Sequence, residues 1–167
     1  LLFAFTDPKS NTGKLYPTYL LKTMGFTPEM YFKKFIYSYS HNKSVEMVAK
    51  RIVDGAAVES IVYDHMLKTG SPYAKQTKII KRSPPYGIPP VVVTRDIDPA
   101  LRKKVKDAFL SMQRTAKGKT ILDAMMIDGF VEVPGGELCE QGDRLLFADR
   151  GAEVLVDRAA VLLAERH

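Results

Sequence analysis

The feature that most constrains the fold is a regular alternation of short apolar runs with helix-forming segments. Leu1 to Thr6 (LLFAFT), Ile36 to Ser40 (IYSYS), Ala56 to Val58, Thr77 to Lys81 and Pro90 to Thr94 read as strands. Between them, apolar residues recur at helical spacing. Gly13 to Met24 reads as a helix ended by Gly25, with Pro17 in its first turns, where a missing N–H is tolerated. Thr27-Pro28-Glu29 supplies a cap, a Pro at the first helical position and an acid in the first turn, so a short helix is expected to about Phe35. Asn42 is placed to cap a helix with Val45, Val48, Ala49 and Ile52 on one face, and Ile61 to Leu67 reads as a further short helix. Asp98-Pro99 opens the clearest helix, whose stripe is Leu101, Val105, Phe109 and Met112. Lys117 to Met126 follows as another, before an apolar stop at Phe130 to Val133. Strands and helices in such alternation pack as layers around one core, so the expected class is α/β, a mixed sheet flanked by helices.

Composition narrows the function. A chain of 167 residues with 46% hydrophobic and 26% charged residues can bury a core and is not of the disordered type. No apolar run approaches the roughly 20 residues of a membrane-spanning helix. The stretch near Val154 to Leu163 is broken by Asp157 and Arg158. The chain opens at Leu1 inside an apolar strand pattern, which reads as a fragment with any targeting segment upstream. The single cysteine, Cys139, has no partner for an internal disulfide, and no Cys/His cluster has metal-site spacing, so no metal or cofactor is expected. With no His near it in sequence, Cys139 reads as an incidental thiol rather than a nucleophile. The net charge of +6 raises the question of nucleic acid. However, Lys33-Lys34, Lys50-Arg51, Lys81-Arg82 and the run from Arg102 to Lys106 are dispersed and fall mostly on polar helix faces, so no nucleic-acid partner is expected.

The stretch with most chemistry is the junction Asp7-Pro8-Lys9-Ser10-Asn11-Thr12-Gly13. Hydroxyl and amide side chains crowd a helix start, where backbone N–H groups and the helix dipole favour an anion. Gly13 lets a ligand approach the backbone closely. The same residue types are also ordinary helix caps. The Gly13-Lys14 pair imitates a nucleotide-binding P-loop, but Pro8 replaces its first Gly and Leu15 its Ser or Thr, which excludes that motif.

The blocks FTDPKSNTGKLYP, YFKKFIYSYSHNKSVEMVAKRIVDGAAVESIVYD, KIIKRSPPYGIPPVVV and GKTILDAMMIDGF, in that order from Phe3 to Val131, resemble the phosphonate- and phosphite-binding proteins of ABC importers. The resemblance implies a type II periplasmic-binding-protein lobe, one of two that close on a ligand about a hinge. Residues 1–134 would be the ligand-binding lobe, with return strands and helices towards a first lobe. It implies an oxyanion grip at Ser10, Asn11 and Thr12, beside the close approach that Gly13 allows, a contact from His41, and further lining positions at Glu59 or Ser60. The two departures are Pro89 or Pro90 where some relatives carry a proton-accepting Asp, and Ile61 where aminophosphonate binders carry an amine-pairing Glu. Tyr86 is the candidate hydroxyl in the first of these regions.

Residues 135–167 lie outside the resemblance. Their acids outnumber arginines and they lack lysine, unlike the rest of the chain. Val154, Leu155, Ala159, Leu162 and Leu163 have helical spacing, so a terminal or coupling helix is expected. The expected function is the solute-binding component of an ABC importer for phosphonate, phosphite or a related oxyanion, outside the cytoplasmic membrane, with an ABC permease as partner. The alternative is a sensor domain of a signalling protein that uses the same lobe. Asp7, His41 and Glu59 can be drawn as an acid–base set, but no activated nucleophile accompanies them, so no catalysis is expected. Exposed hinge strands would favour self-association of an isolated lobe.

Overall fold

The computed structural model describes residues 1–84, 86–87, 91, 93–94, 96–131, 156–157 and 159–164, with backbone alone for 86–87 and the two C-terminal segments. The strands are β1 (Leu2–Phe5), β2 (Lys34–Tyr37), β3 (Gly55–Glu59), β4 (Thr77–Arg82), β5 (Tyr86–Gly87), β6 (Val156–Asp157) and β7 (Ala159–Ala164). The helices are α1 (Tyr16–Thr23), α2 (Pro28–Tyr31), α3 (His41–Ala49), α4 (Ser60–Lys68), α5 (Pro99–Ser111) and α6 (Ala116–Met125). The chain forms two compact units, Leu1–Tyr86 with Asp157–His167, and Gly87–Val156.

The first unit is built on a five-stranded sheet in the order β2-β1-β3-β7-β4. β1 runs parallel to β2 and to β3, while β7 is antiparallel to β3 and to β4. The period-two alternation of side chains sorts the core onto two faces. Ala4, Ala56 and Val58 join Val45 and Val48 of α3 and Tyr63 and Met66 of α4 on one face. Phe3, Phe5 and Ala57 join Leu21 of α1 and Phe32 on the other. Phe5 is completely buried and packs edge-on against Phe3, Phe32 and Phe35. Its truncation to Ala would cost about 3–5 kcal/mol.

Helix boundaries follow local chemistry. The first helix begins earlier than expected, as a π-helical turn at Asn11–Leu15 capped by Ser10. Gly25 ends α1 at φ +83°, with Phe26 N bonded to Leu21 O and Gly25 N to Lys22 O, the pattern of a left-handed helix stop. α2 stops at Tyr31 rather than near Phe35, because Lys34 already pairs with Leu2 as β2. Ser40, not Asn42, caps α3: its hydroxyl accepts from Lys43 N, and Asn42 falls inside the first turn.

The helix expected near the C-terminus is corrected to a strand. Ala159–Ala164 is β7, inserted between β3 and β4. A continuous apolar run of six residues suits a strand with neighbours on both sides, and spacing alone does not separate that from a short helix. Val154 and Leu155 lie outside the described residues. Of the strand expected at Pro90 to Thr94, Val91 makes a single bridge, Val93 and Thr94 lie outside any strand, and Pro90 and Val92 fall outside the description.

In the second unit, Asp98 caps α5 by accepting from Leu101 N at 2.8 Å, and Thr115 caps α6 by accepting from Gly118 N at 3.0 Å. The α5 stripe is less covered than its spacing implies: no α5 residue is buried and Leu101 is 50% exposed. The spacing specifies the helix, not what lies over it.

Candidate functional site

The three parallel strands all end at one edge of the sheet, and each feeds a helix there. β1 leads into the π-turn and α1, β2 into α3, and β3 into α4. α1 packs on one face of the sheet, while α3 and α4 pack on the other. The edge beyond β1 and β3, where the connections diverge to opposite faces, is where open α/β sheets bind ligands.

Thr6, the first residue after β1, organises this edge. Its N–H donates to Gly13 O at 3.1 Å, and its carbonyl accepts from Tyr39 N at 2.7 Å. Its hydroxyl donates to Ala57 O at 2.9 Å and lies 3.3 Å from His41 Nδ1. One buried residue thus meets the π-turn through its backbone N–H, and β3 and the start of α3 through its hydroxyl. Reading the sequence missed Thr6, which looked like the last residue of an apolar strand. The available clue was a hydroxyl closing that strand immediately before Asp7-Pro8.

Ser10 accepts from Gly13 N at 2.9 Å through its hydroxyl. That is a cap, and among the described residues its O–H hydrogen meets no acceptor. Gly13 is required by space: an added Cβ would sit 2.5 Å from Thr6 Cβ and 2.7 Å from Thr6 Oγ1. Thr12 is buried and Asn11 is exposed. Lys14 turns away from the ligand edge, with Nζ 4.0 Å from the centroid of the Phe5 ring and 5.1 Å from that of Phe35. Burial lowers its pKa, and the Glu29 carboxylate partly opposes this.

His41 is the first residue of α3, and Ser40 caps that helix. Its Nδ1 accepts from Glu59 N at 3.0 Å. An amide N–H only donates, so Nδ1 presents its lone pair and the neutral ring carries its proton on Nε2. Burial holds the imidazole below its ordinary pKa, with the Glu59 carboxylate partly opposing. His41 is therefore a neutral Nε2–H donor. Its Nε2 lies 3.7 Å from Glu59 Oε2. Glu59 occupies the cap position of α4 but its side chain makes no capping bond. Ser60, the first residue of α4, is buried.

Ser10, Gly13, His41 and Glu59 are therefore linked at the edge formed by β1 and β3 by bonds that meet at Thr6 and His41, and Ser60 follows Glu59 at the start of α4. Asn11 and Thr12 belong to the same turn. Tyr86 begins β5, and the expectation for its hydroxyl lies outside the described side chains. Asp7 Oδ1 accepts from Lys9 N at 2.8 Å within its own loop. Among the described residues, no group of three or more His, Cys, Asp or Glu is placed to hold a metal ion.

A mixed sheet flanked by helices, with its parallel strands ending at one edge, has the architecture of a periplasmic-binding-protein lobe. The chain belongs to the family described as ABC transporter, phosphonate, periplasmic substrate-binding protein, whose model matches residues 1–135. It is similar to the phosphonates-binding periplasmic protein of Escherichia coli (strain K12), with 28% identity over 126 residues, covering 75% of this chain and 37% of that protein. The chain thus spans little more than a third of that relative's length. Among the described residues, no helix is long and apolar enough to cross a membrane.

Proposed function

We propose that this lobe grips a small oxyanion, a phosphonate or phosphite, as part of a solute-binding protein that delivers it to an ABC permease outside the cytoplasmic membrane. The observation that carries this reading is the meeting of Ser10, Gly13 and His41 around Thr6 at one sheet edge. The family match and the name of the Escherichia coli relative support the ligand class. Ser10 and Thr12 contribute hydroxyl donors, Asn11 an amide, and Gly13 close backbone approach. His41 contributes a neutral N–H, and Glu59 and Ser60 line the neighbouring helix start. Neutral donors suit a ligand that must be released, because they hold an anion by direction rather than by a fixed countercharge.

The test is calorimetry on the full-length protein with methylphosphonate, phosphite, phosphate and sulfate. Replacing Ser10 and Thr12 together with Ala is expected to weaken binding of the preferred ligand by about tenfold or more, the loss of two hydrogen bonds to a charged group. Unchanged affinity in that double variant would remove the site assignment.

A further inference from the structure

We infer that His41 and Glu59 together read the protonation state of the ligand and favour a monoprotonated oxyanion over the fully ionised form. The inference rests on the oxyanion reading above and adds a selection rule to it.

The two side chains are about equally exposed, 21% for His41 and 19% for Glu59, with Nε2 and Oε2 separated by 3.7 Å. That separation is too long for a hydrogen bond between them. Among the described residues, no other hydrogen bond engages Nε2 or the Glu59 carboxylate. The polarity of the pair is fixed. Glu59 N–H occupies Nδ1, so the ring offers a donor at Nε2. The ionised carboxylate beside it offers only acceptors. A donor and an acceptor side by side match a tetrahedral oxyanion that presents one bare oxygen and one O–H. The bare oxygen accepts from Nε2–H, and the O–H donates to Glu59. A fully ionised ligand would place an oxygen lone pair against the carboxylate with no hydrogen between them.

Among the other charged groups of these elements, several have partners of their own. Glu46 pairs with Lys50, Asp64 lies 3.5 Å from Arg82, and Lys14 rests over the Phe5 ring. Asp7 accepts from the Lys9 amide. Lys43 is exposed, and His65 lies in the last turn of α4. On the neighbouring strand, Ala159 is the residue paired with Glu59.

The experiment is calorimetry of the full-length protein with methylphosphonate at pH values spanning the ligand's second ionisation. The wild type is expected to lose affinity by about tenfold per pH unit above that ionisation, as required when only the protonated form binds. Glu59→Gln, which offers an N–H to the second oxygen, is expected to flatten the profile. Glu59→Asp is expected to keep the slope. Protonation of His41 would also favour an anion at low pH, but it is retained in Glu59→Gln and would leave that slope intact. As a measurement on the wild type alone, sulfate, which carries no proton in this range, is expected to bind at least about tenfold more weakly than methylphosphonate, the loss of one charge-assisted hydrogen bond. Identical pH profiles for wild type and Glu59→Gln, or sulfate bound as tightly as methylphosphonate, overturn the inference. If the Ser10, Thr12 double variant still weakens binding in that case, the site stands and only the selection rule fails. No binding of any oxyanion overturns both.

Discussion

The backbone N–H of Glu59 donates to Nδ1 of His41 at 3.0 Å, tying the end of β3 to the start of α3. Protonating Nδ1 would set two donors against each other, and burial already holds the ring below its ordinary pKa of 6.5. Between the folded and ordinary values, the unfolded chain binds a proton that the folded chain does not. Stability from this group is therefore complete above the ordinary value and is lost as pH falls below it. Urea denaturation between about pH 7 and pH 5 is expected to show falling stability, and His41→Gln is expected to reduce that slope. An unaltered slope in His41→Gln would assign the acid sensitivity to other groups.

Thr6→Val tests the residue that joins the three junctions. Valine preserves the shape and removes the hydroxyl. The carbonyl of Ala57, on a strand where Ala57 itself is fully buried, then loses the partner 2.9 Å away. The expected cost is about 1–3 kcal/mol in chemical denaturation. Ligand affinity should fall as well, because the new methyl group would face the His41 ring that the hydroxyl meets at 3.3 Å from Nδ1. Full stability in this variant would show that water satisfies the Ala57 carbonyl.

Gly13→Ala addresses close packing. Its φ lies outside the left-handed range, so backbone freedom is not the issue. The new methyl group would lie 2.5 Å from Thr6 Cβ, a branched side chain at the end of β1 with little room to move. Overpacking of this kind costs about 1–3 kcal/mol. The thermal midpoint is expected to fall, and binding is expected to weaken with it because the turn carrying Ser10 and Thr12 must shift.

Much of this arrangement was legible in the residues. Ala4, Ala56 and Val58 could be assigned to strands because their runs are short, apolar and bounded by turn residues. The Asp98 cap and the Gly25 stop act through side-chain and backbone chemistry that is local to the chain. The hydroxyl-rich turn was legible for the same reason. What was not legible depends on partners distant in sequence. Ala159–Ala164 is a strand only because β3 and β4 flank it, and an isolated apolar run does not reveal its neighbours. Ser40 rather than Asn42 caps α3 because β2 ends where its pairing with β1 ends. Thr6 acquires its role from Gly13, Tyr39, His41 and Ala57, none of them adjacent to it in sequence.

The turn that delivers His41 rests on a buried pair of hydroxyls, Ser38 and Ser44, 2.6 Å apart. Ser38 Oγ donates to Ser40 O at 3.0 Å and accepts from Ser40 N at 3.3 Å. With that hydrogen used, Ser44 donates to Ser38. The two serines are therefore unequal. Ser44→Ala removes one bond and leaves Ser38 its contacts with Ser40, an expected loss of about 0.5–1.5 kcal/mol. Ser38→Ala strands the fully buried Ser44 hydroxyl and removes the partner of Ser40 N–H, while Ser40 O keeps the Ser44 N–H at 3.0 Å, an expected loss of about 1–3 kcal/mol. Because the side chains touch, the double variant should cost about as much as Ser38→Ala alone. Ser38→Ala should also weaken oxyanion binding more than Ser44→Ala, since Ser40 is the cap on which His41 begins its helix. Chemical denaturation of the three variants, with calorimetry on the two single ones, checks both orders. A larger loss for Ser44→Ala would reverse the assigned direction of the hydrogen bond and remove Ser38 as the support of this turn.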